Sequence, residues 1–219
     1  MFLQRTSTKI GHRRSRMSGL INVAGARSGI VGTTVAAASA GGWTKVDSTA
    51  SPNANGTFND IFGSLHSSYT IFLTGYRASS QNSDMKCRFL SSGTTEIGGS
   101  DYRCLIQGGE MSSGAANAVE YRSTWNGDTM MISAPGGGQS DHTTVGGVFG
   151  QITIHNPYDN TRSTMISGNL GHVRYQESKL HTGTIHGGLM LNTRVQGIRL
   201  WFSSGNVAAG KVHIYGHTD

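Results

Sequence analysis

Val148-Phe149-Gly150-Gln151-Ile152-Thr153-Ile154-His155 reads as one strand with two unlike faces. Val148, Gly150, Ile152 and Ile154 fall on one side, and Phe149, Gln151, Thr153 and His155 on the other. Side chains along a strand alternate with a period of two, so such a segment buries one face and leaves the other to solvent or a partner. The pattern recurs along the chain. Met85, Cys87 and Phe89 alternate with Lys86 and Arg88, while Tyr102, Cys104 and Ile106 alternate with Arg103 and Leu105. Ile198, Leu200 and Phe202 alternate with Arg199, Trp201 and Ser203, and Val212 and Ile214 with Lys211, His213 and Tyr215. Tyr69-Thr-Ile-Phe-Leu-Thr-Gly-Tyr76 adds a strand rich in β-branched and aromatic residues.

Shorter strand candidates lie at 119–121, 129–132, 164–166, 171–175 and 181–186. Turn clusters separate them: Ser91-Ser-Gly93, Asn126-Gly127, Ala134-Pro-Gly-Gly-Gly138, Tyr158-Asp-Asn160 and Ser203-Ser-Gly-Asn206. About eight to ten strands at this spacing predict an all-β fold, an antiparallel β-sandwich or jelly roll. One piece has a helical period, Phe58-x-x-Ile61-Phe62-x-x-Leu65, which predicts at most two turns of helix just ahead of the first strong strand. There are no internal repeats and no heptads.

Composition agrees. Glycine accounts for 32 of 219 residues and proline for only 3, while charged residues make up 14%. Gly, Asn, Ser and Thr fill the gap, as expected for short strands joined by tight turns. Hydrophobic residues reach 36%, enough for a packed core. The net charge of +6 is not spread evenly. Arg5, Lys9, Arg13, Arg14, Arg16 and Arg27 lie in the first 30 residues with no acidic neighbour. The remaining 12 basic side chains are balanced by 12 acidic ones. The expected organisation is an extended basic N-terminal arm and linker over 1–42 and a neutral sandwich over 43–219. Residues 1–40 hold too little apolar surface to fold alone and should order against a partner.

No apolar run approaches the ~20 residues that a membrane-spanning helix needs. Met1-Phe2-Leu3 is followed by polar and basic residues, so no signal peptide is expected. Cys87 and Cys104 are too few for a disulfide framework and read as two buried thiols. They would share one face of adjacent strands if the segment between them is a hairpin.

Catalytic and cofactor chemistry finds no residues to name. His181 and His186, or His213 and His217, lack the i, i+2 spacing and the acidic or Cys partners of a strand-borne metal site. Gly136-Gly137-Gly138 lacks the following Lys-Ser/Thr of a phosphate loop, and no Gly-x-Ser-x-Gly elbow is present. A glycan depolymerase would need paired carboxylates, whereas the 12 acidic residues are scattered. No enzyme, no cofactor and no metal are expected. The basic arm would support non-specific phosphate binding, yet the neutral body and the lack of paired RNA-binding aromatics favour an acidic protein surface over nucleic acid. Trp125 and Trp201 are candidate sugar-stacking aromatics, Trp125-Asn-Gly-Asp128 being the better placed.

Four stretches carry a family resemblance. Ala24-Gly-Ala-Arg-Ser-Gly-Ile-Val-Gly-Thr-Thr34 resembles a linker found before β-sandwich modules in virion proteins of marine tailed phages, especially cyanophages. Phe58-x-x-Ile-Phe-x-x-x-His-x-x-Tyr-Thr-Ile-Phe-Leu-Thr-Gly75 looks like their opening strand. Arg88-Phe-Leu-Ser-Ser-Gly-Thr-Thr-Glu96 with Asp101-Tyr102 resembles their second hairpin. Gly197-Ile-Arg-Leu-Trp-Phe-Ser-Ser-Gly-Asn-Val-Ala-Ala-Gly-Lys-Val-His-Ile-Tyr-Gly216 is similar to their ending. The resemblance implies a multimeric, non-enzymatic virion component, with a trimer favoured, made in the host cytoplasm. A single module with a charged arm and no shaft points to a capsid decoration or cement protein. Arg5, Lys9, Arg13, Arg14, Arg16 and Arg27 would then bind a capsid or tail protein. The alternative is a tail-fibre, spike or appendage subunit, with a host surface glycan as a further partner.

Overall fold

The computed structural model describes residues 43–49, 55–80, 83–112, 115–116, 120–133, 147–174 and 179–218. All of these lie in the second of the two units into which the chain divides, Ser39–Asp219. The fold is all-β, with two antiparallel sheets and no helix among the described residues. The strands are β1 (Trp43–Thr49), β2 (Thr57–Phe58), β3 (Ser68–Ala78), β4 (Met85–Ser92), β5 (Thr95–Glu96), β6 (Tyr102–Ser112) and β7 (Ala115–Ala116). They continue with β8 (Glu120–Gly127), β9 (Met130–Met131), β10 (Gly147–His155), β11 (Thr164–Arg174), β12 (Lys179–Leu189), β13 (Gly197–Phe202) and β14 (Val207–His217).

The large sheet runs β1-β14-β3-β10-β11-β12-β6-β7, with β8 also paired to β6. The small sheet runs β2-β13-β4-β5, with β9 also paired to β4. The alternating apolar positions of both sheets meet in one core. Ile71, Leu73, Ile106, Ile152, Ile154, Ile185, Val212 and Ile214 come from the large sheet, and Met85, Cys87, Phe89, Ile198, Leu200 and Phe202 from the small one. The burial expected for Val148, Ile152 and Ile154, and the exposure of Phe149 and Gln151 opposite them, are both seen.

Three tyrosines give this core a defined geometry, because a buried phenol must find a hydrogen-bond partner. Tyr76, on β3, donates its hydroxyl to the Leu200 carbonyl of β13 at 2.6 Å, joining the two sheets. Its ring stacks on Phe202 at 5.5 Å. Tyr102, on β6, donates to the Ile97 carbonyl at 2.9 Å and accepts from the Phe89 amide of β4 at 3.1 Å. The Tyr69 hydroxyl accepts from the Gly63 amide at 2.7 Å and donates to the Gly63 carbonyl at 3.1 Å.

The last contact helps explain why the helix expected over 58–65 does not form. Residues 58–65 are not helical: Phe58 ends β2, and Ile61 and Phe62 turn into the core while Leu65 stays 81% exposed. Asp60 at φ 50° breaks any helical course, the Phe62 amide is taken by the Gln196 carbonyl, and Gly63 is held by Tyr69. Apolar spacing alone mimicked a helix here. The short candidates at 164–166 and 171–175 belong to the continuous strand β11, which runs to Arg174. The turn cluster 134–138 lies outside the described residues, as does the whole expected arm, 1–42.

Cys87 and Cys104 are both buried free thiols, but they are not on adjacent strands. After the β4–β5 hairpin the chain crosses to the large sheet, so the two sulfurs come from opposite layers of the sandwich. The Cys104 thiol donates to the Met131 carbonyl at 3.4 Å. Burial pushes the Cys104 pKa up to about 12 and raises that of Cys87 as well, the charge of Cys104 adding to the latter. Because the thiolate is the reactive form, neither thiol should react with an aromatic disulfide reagent at neutral pH in the native protein, and both should react in denaturant. A thiol that titrates rapidly in the native state would contradict this packing.

The tether at Tyr76 makes a second prediction. Gly56 has φ +60°, and a Cβ there would overlap the Leu200 carbonyl oxygen and crowd the Tyr76 hydroxyl. Gly93 has φ +49°, and a methyl group added to it would meet nothing within 4 Å. Gly93→Ala should therefore cost only backbone strain of about 1–2 kcal/mol, and Gly56→Ala distinctly more. Tyr76→Phe should cost about 1–3 kcal/mol by removing one buried hydrogen bond. Urea unfolding of the three variants would rank them.

Candidate functional site

The outer face of the large sheet is where the sequence alternation places side chains that the core does not use. At one end, β1 pairs with β14 and β14 with β3, which brings together residues far apart in the chain. Trp43 lies opposite His217, Tyr215 opposite Thr70, and His213 opposite Phe72. The Trp43 ring sits 4.4 Å from His217, edge-on, 5.8 Å from Phe72 and 5.9 Å from Tyr215. Phe72 and Tyr215 meet edge to face at 5.8 Å. Trp43 remains 57% exposed, and Trp43, Phe72, His213 and Tyr215 line a shallow depression. His213 Nδ1 is buried without a hydrogen-bond partner among the described residues.

A polar thread runs beside the aromatics. His217 Nε2 and Thr70 Oγ1 lie 2.8 Å apart, Thr70 and Thr153 hydroxyls 3.0 Å apart, and His155 Nε2 and Ser167 Oγ 3.0 Å apart. Burial lowers the pKa of His217, and the charges of His66 and His155 lower it further. Burial alone lowers that of His155. Both imidazoles are therefore held neutral at pH 7.

The sequence-selected residues are distributed as follows. Arg5, Lys9, Arg13, Arg14, Arg16 and Arg27 lie outside the described residues. Trp125 is 72% exposed at the end of β8, with the Arg103 guanidinium 4.5 Å over its ring. Trp201 is half-buried on the outer face of the small sheet, beside Arg199 at 4.9 Å and Arg88 at 5.9 Å. Around it, Glu96 receives hydrogen bonds from both Arg88 and Arg199, and Arg88 also reaches Asp128 at 2.8 Å. Partial burial works to raise the Glu96 pKa, but the two guanidinium partners outweigh it and hold the carboxyl below its usual range. This network neutralises itself and serves to fix the face of the small sheet.

His181 and His186 point to opposite faces. His186 is exposed, whereas His181 is buried, stacked on His172 at 5.0 Å and 3.6 Å from Glu110, which also pairs with Lys179 at 3.1 Å. His213 and His217 share the outer face of β14. Among the described residues no three His, Cys, Asp or Glu side chains gather as a metal site.

Sequence reading missed the aromatic patch, although its signal was present. Phe72 and Tyr215 are aromatic residues at the outward phase of strands whose other phase is core, a position where polar residues are expected.

The lowered histidine pKa values carry a pH dependence. Both folded values lie below the ordinary 6.5, so the unfolded chain takes up protons first as pH falls. Stability from this thread is complete above about pH 6.5 and is lost as pH drops through the folded values. Thermal melts from about pH 7.5 to about pH 5.5 should show a falling midpoint in the parent protein and a flatter profile in His217→Gln. Equal slopes would remove His217 from the account.

Comparison of the chain with protein-family models, with curated proteins and with solved structures gave no significant match.

Proposed function

We propose that this chain is a non-enzymatic structural component of a tailed-phage particle, a capsid decoration or cement protein that oligomerises through its sandwich and docks through its basic arm. The observation that carries the reading is the Trp43–Phe72–Tyr215 patch. Exposed ring surface at the outward phase of three neighbouring strands resembles the core of a protein–protein interface, where aromatic residues are enriched and Trp and Tyr are frequent energetic hot spots. The half-buried His217 imidazole beside Trp43, its pKa lowered by burial, suits a surface that loses its water on assembly.

The strand order supports a jelly-roll reading of the sandwich. β1-β14-β3-β10 in one sheet is matched by β2-β13-β4-β9 in the other. These eight strands alternate between the sheets in chain order except at the step from β4 to β9, while β6, β7, β8, β11 and β12 widen the large sheet. The charge distribution supports arm docking. Arg5, Lys9, Arg13, Arg14, Arg16 and Arg27 put six positive charges on a segment attached to a neutral body, and an acidic capsid lattice would attract it. The trimer rests on the resemblance to marine-phage virion modules, and the patch gives it a surface on which to form.

Light scattering of the full-length protein should give a mass near three times 23.2 kDa. Trp43→Ser with Tyr215→Ser should shift it to the monomer without loss of the β-sheet circular dichroism. A monomeric parent protein, or a double variant that still assembles, would remove the patch as the interface. The copy number in purified particles separates the positions: hundreds of copies fit decoration of a capsid lattice, and a few to tens fit a tail appendage.

A further inference from the structure

Beyond the aromatic patch, the outer face of β10, β11, β12 and β6 has a different chemistry. One cross-strand row reads Phe149, Gly171, Thr182, Gly109, and the next reads Gln151, Asn169, Thr184, Gln107. Gly171 and Gly109 leave the first row without side chains at two of its four positions. A Cβ on Gly171 would come within 2.7 Å of Phe149 Cζ and 2.9 Å of its Cε2, so the phenyl ring lies across that glycine. Phe149 is nevertheless 40% exposed. The result is a trough with an aromatic platform at one end and an amide and hydroxyl row along one side. Two adjoining depressions of ≈ 350 and ≈ 380 Å³ share Gln107, Gly108 and Thr184.

We infer that this trough binds a neutral oligosaccharide. A sugar ring offers an apolar C–H face, which matches the Phe149 ring, and hydroxyls that both donate and accept. Asn, Gln and Thr side chains also do both. The Thr184 hydroxyl donates to Asn169 Oδ1 at 2.9 Å, which orients that amide and leaves its NH₂ for a ligand. Gln107 and Gln151 flank the pair as exposed amides. From Phe149 to Gln107 the site crosses three inter-strand spacings, about 14 Å, a length for a short chain of sugars.

Charge sets the ligand class. The described outward positions of these four strands carry no carboxylate, and their single formal charge is Arg103, two rows beyond the amide row. An anionic polymer would find no counter-charge in the trough, and a cationic peptide would find none either. The Thr, Asn and Gln content also differs from the aromatic, Arg-rich core of a protein interface.

The test uses the full-length protein and four neutral probes, maltohexaose, cellohexaose, laminarihexaose and chitohexaose, with an alginate hexamer as the anionic control. Saturation-transfer difference NMR and calorimetry should show at least one neutral probe binding with a Kd of about 1 mM or tighter. Phe149→Ala should weaken it at least tenfold. Thr184→Val, which keeps the shape of the strand, should also weaken it and guards against a variant that merely unfolds. Trp43→Ser should leave it unchanged. The inference is overturned if no neutral probe binds at about 10 mM, if the alginate control binds best, if Thr184→Val binds like the parent, or if hydrogen exchange shows the trough covered by a second copy.

Discussion

The hydrogen bond from Tyr76 to the Leu200 carbonyl sets the position of one sheet on the other. It is buried, so neither group can turn to water, and its loss would leave the Leu200 oxygen short of a partner in an apolar layer. Gly56 closes over the same point, because its backbone carbonyl accepts from the Leu200 amide and its missing Cβ leaves room for the phenol. Tyr102 makes a matching link from β6 to the Phe89 amide of β4. Sliding one sheet over the other would break both contacts and leave buried polar groups without partners. These polar contacts inside the core fix how the two sheets sit on each other, while strand alternation decides which residues face outward.

The faces were legible in the sequence because strand periodicity is simple: Met85, Cys87 and Phe89 inward, Lys86 and Arg88 outward, and likewise for β6, β10, β13 and β14. What could not be read was which strand lies beside which. Cys87 and Cys104 occupy the inward phase expected of them, yet the chain changes sheets between them, and a hairpin and a crossover begin with the same kind of turn. Phe58, Ile61 and Phe62 satisfy a helical spacing as well as an irregular segment pinned by Tyr69, and only the tertiary contact decides. The aromatic patch is assembled from residues 43, 72 and 215. The trough depends on Gly171 lying opposite Phe149. Each residue is visible in the sequence, but its neighbour is a matter of register.

Electrostatics divides the surface in the same way. On the small sheet, Glu96 and Asp128 hold Arg88 and Arg199 in a closed network around Trp201, so the charges satisfy one another and cost little to expose. The outer face of the large sheet has mostly rings, hydroxyls, amides and imidazoles instead, with Lys45, Lys211 and Arg103 among its exceptions. Where fixed charges are few, a surface can be covered without stranding many ions in a dry contact, a penalty that grows steeply once water leaves. That suits the aromatic end of the large sheet to contact with a second copy, its trough to an uncharged ligand, and the small sheet to remaining wet.

The location of the net charge completes this division. A neutral body can approach identical copies without mutual repulsion, which an evenly spread charge of +6 would impose. In the proposed role, confining six cations to the first 30 residues would keep long-range attraction to an acidic lattice while removing it from the surfaces that pack. Under this arrangement salt should weaken arm docking far more than contacts of the aromatic patch, because exposed charges are screened over about 8–10 Å at physiological ionic strength whereas apolar burial is not. Two attachment forces with opposite salt responses would let the same chain assemble with itself and with a second surface independently.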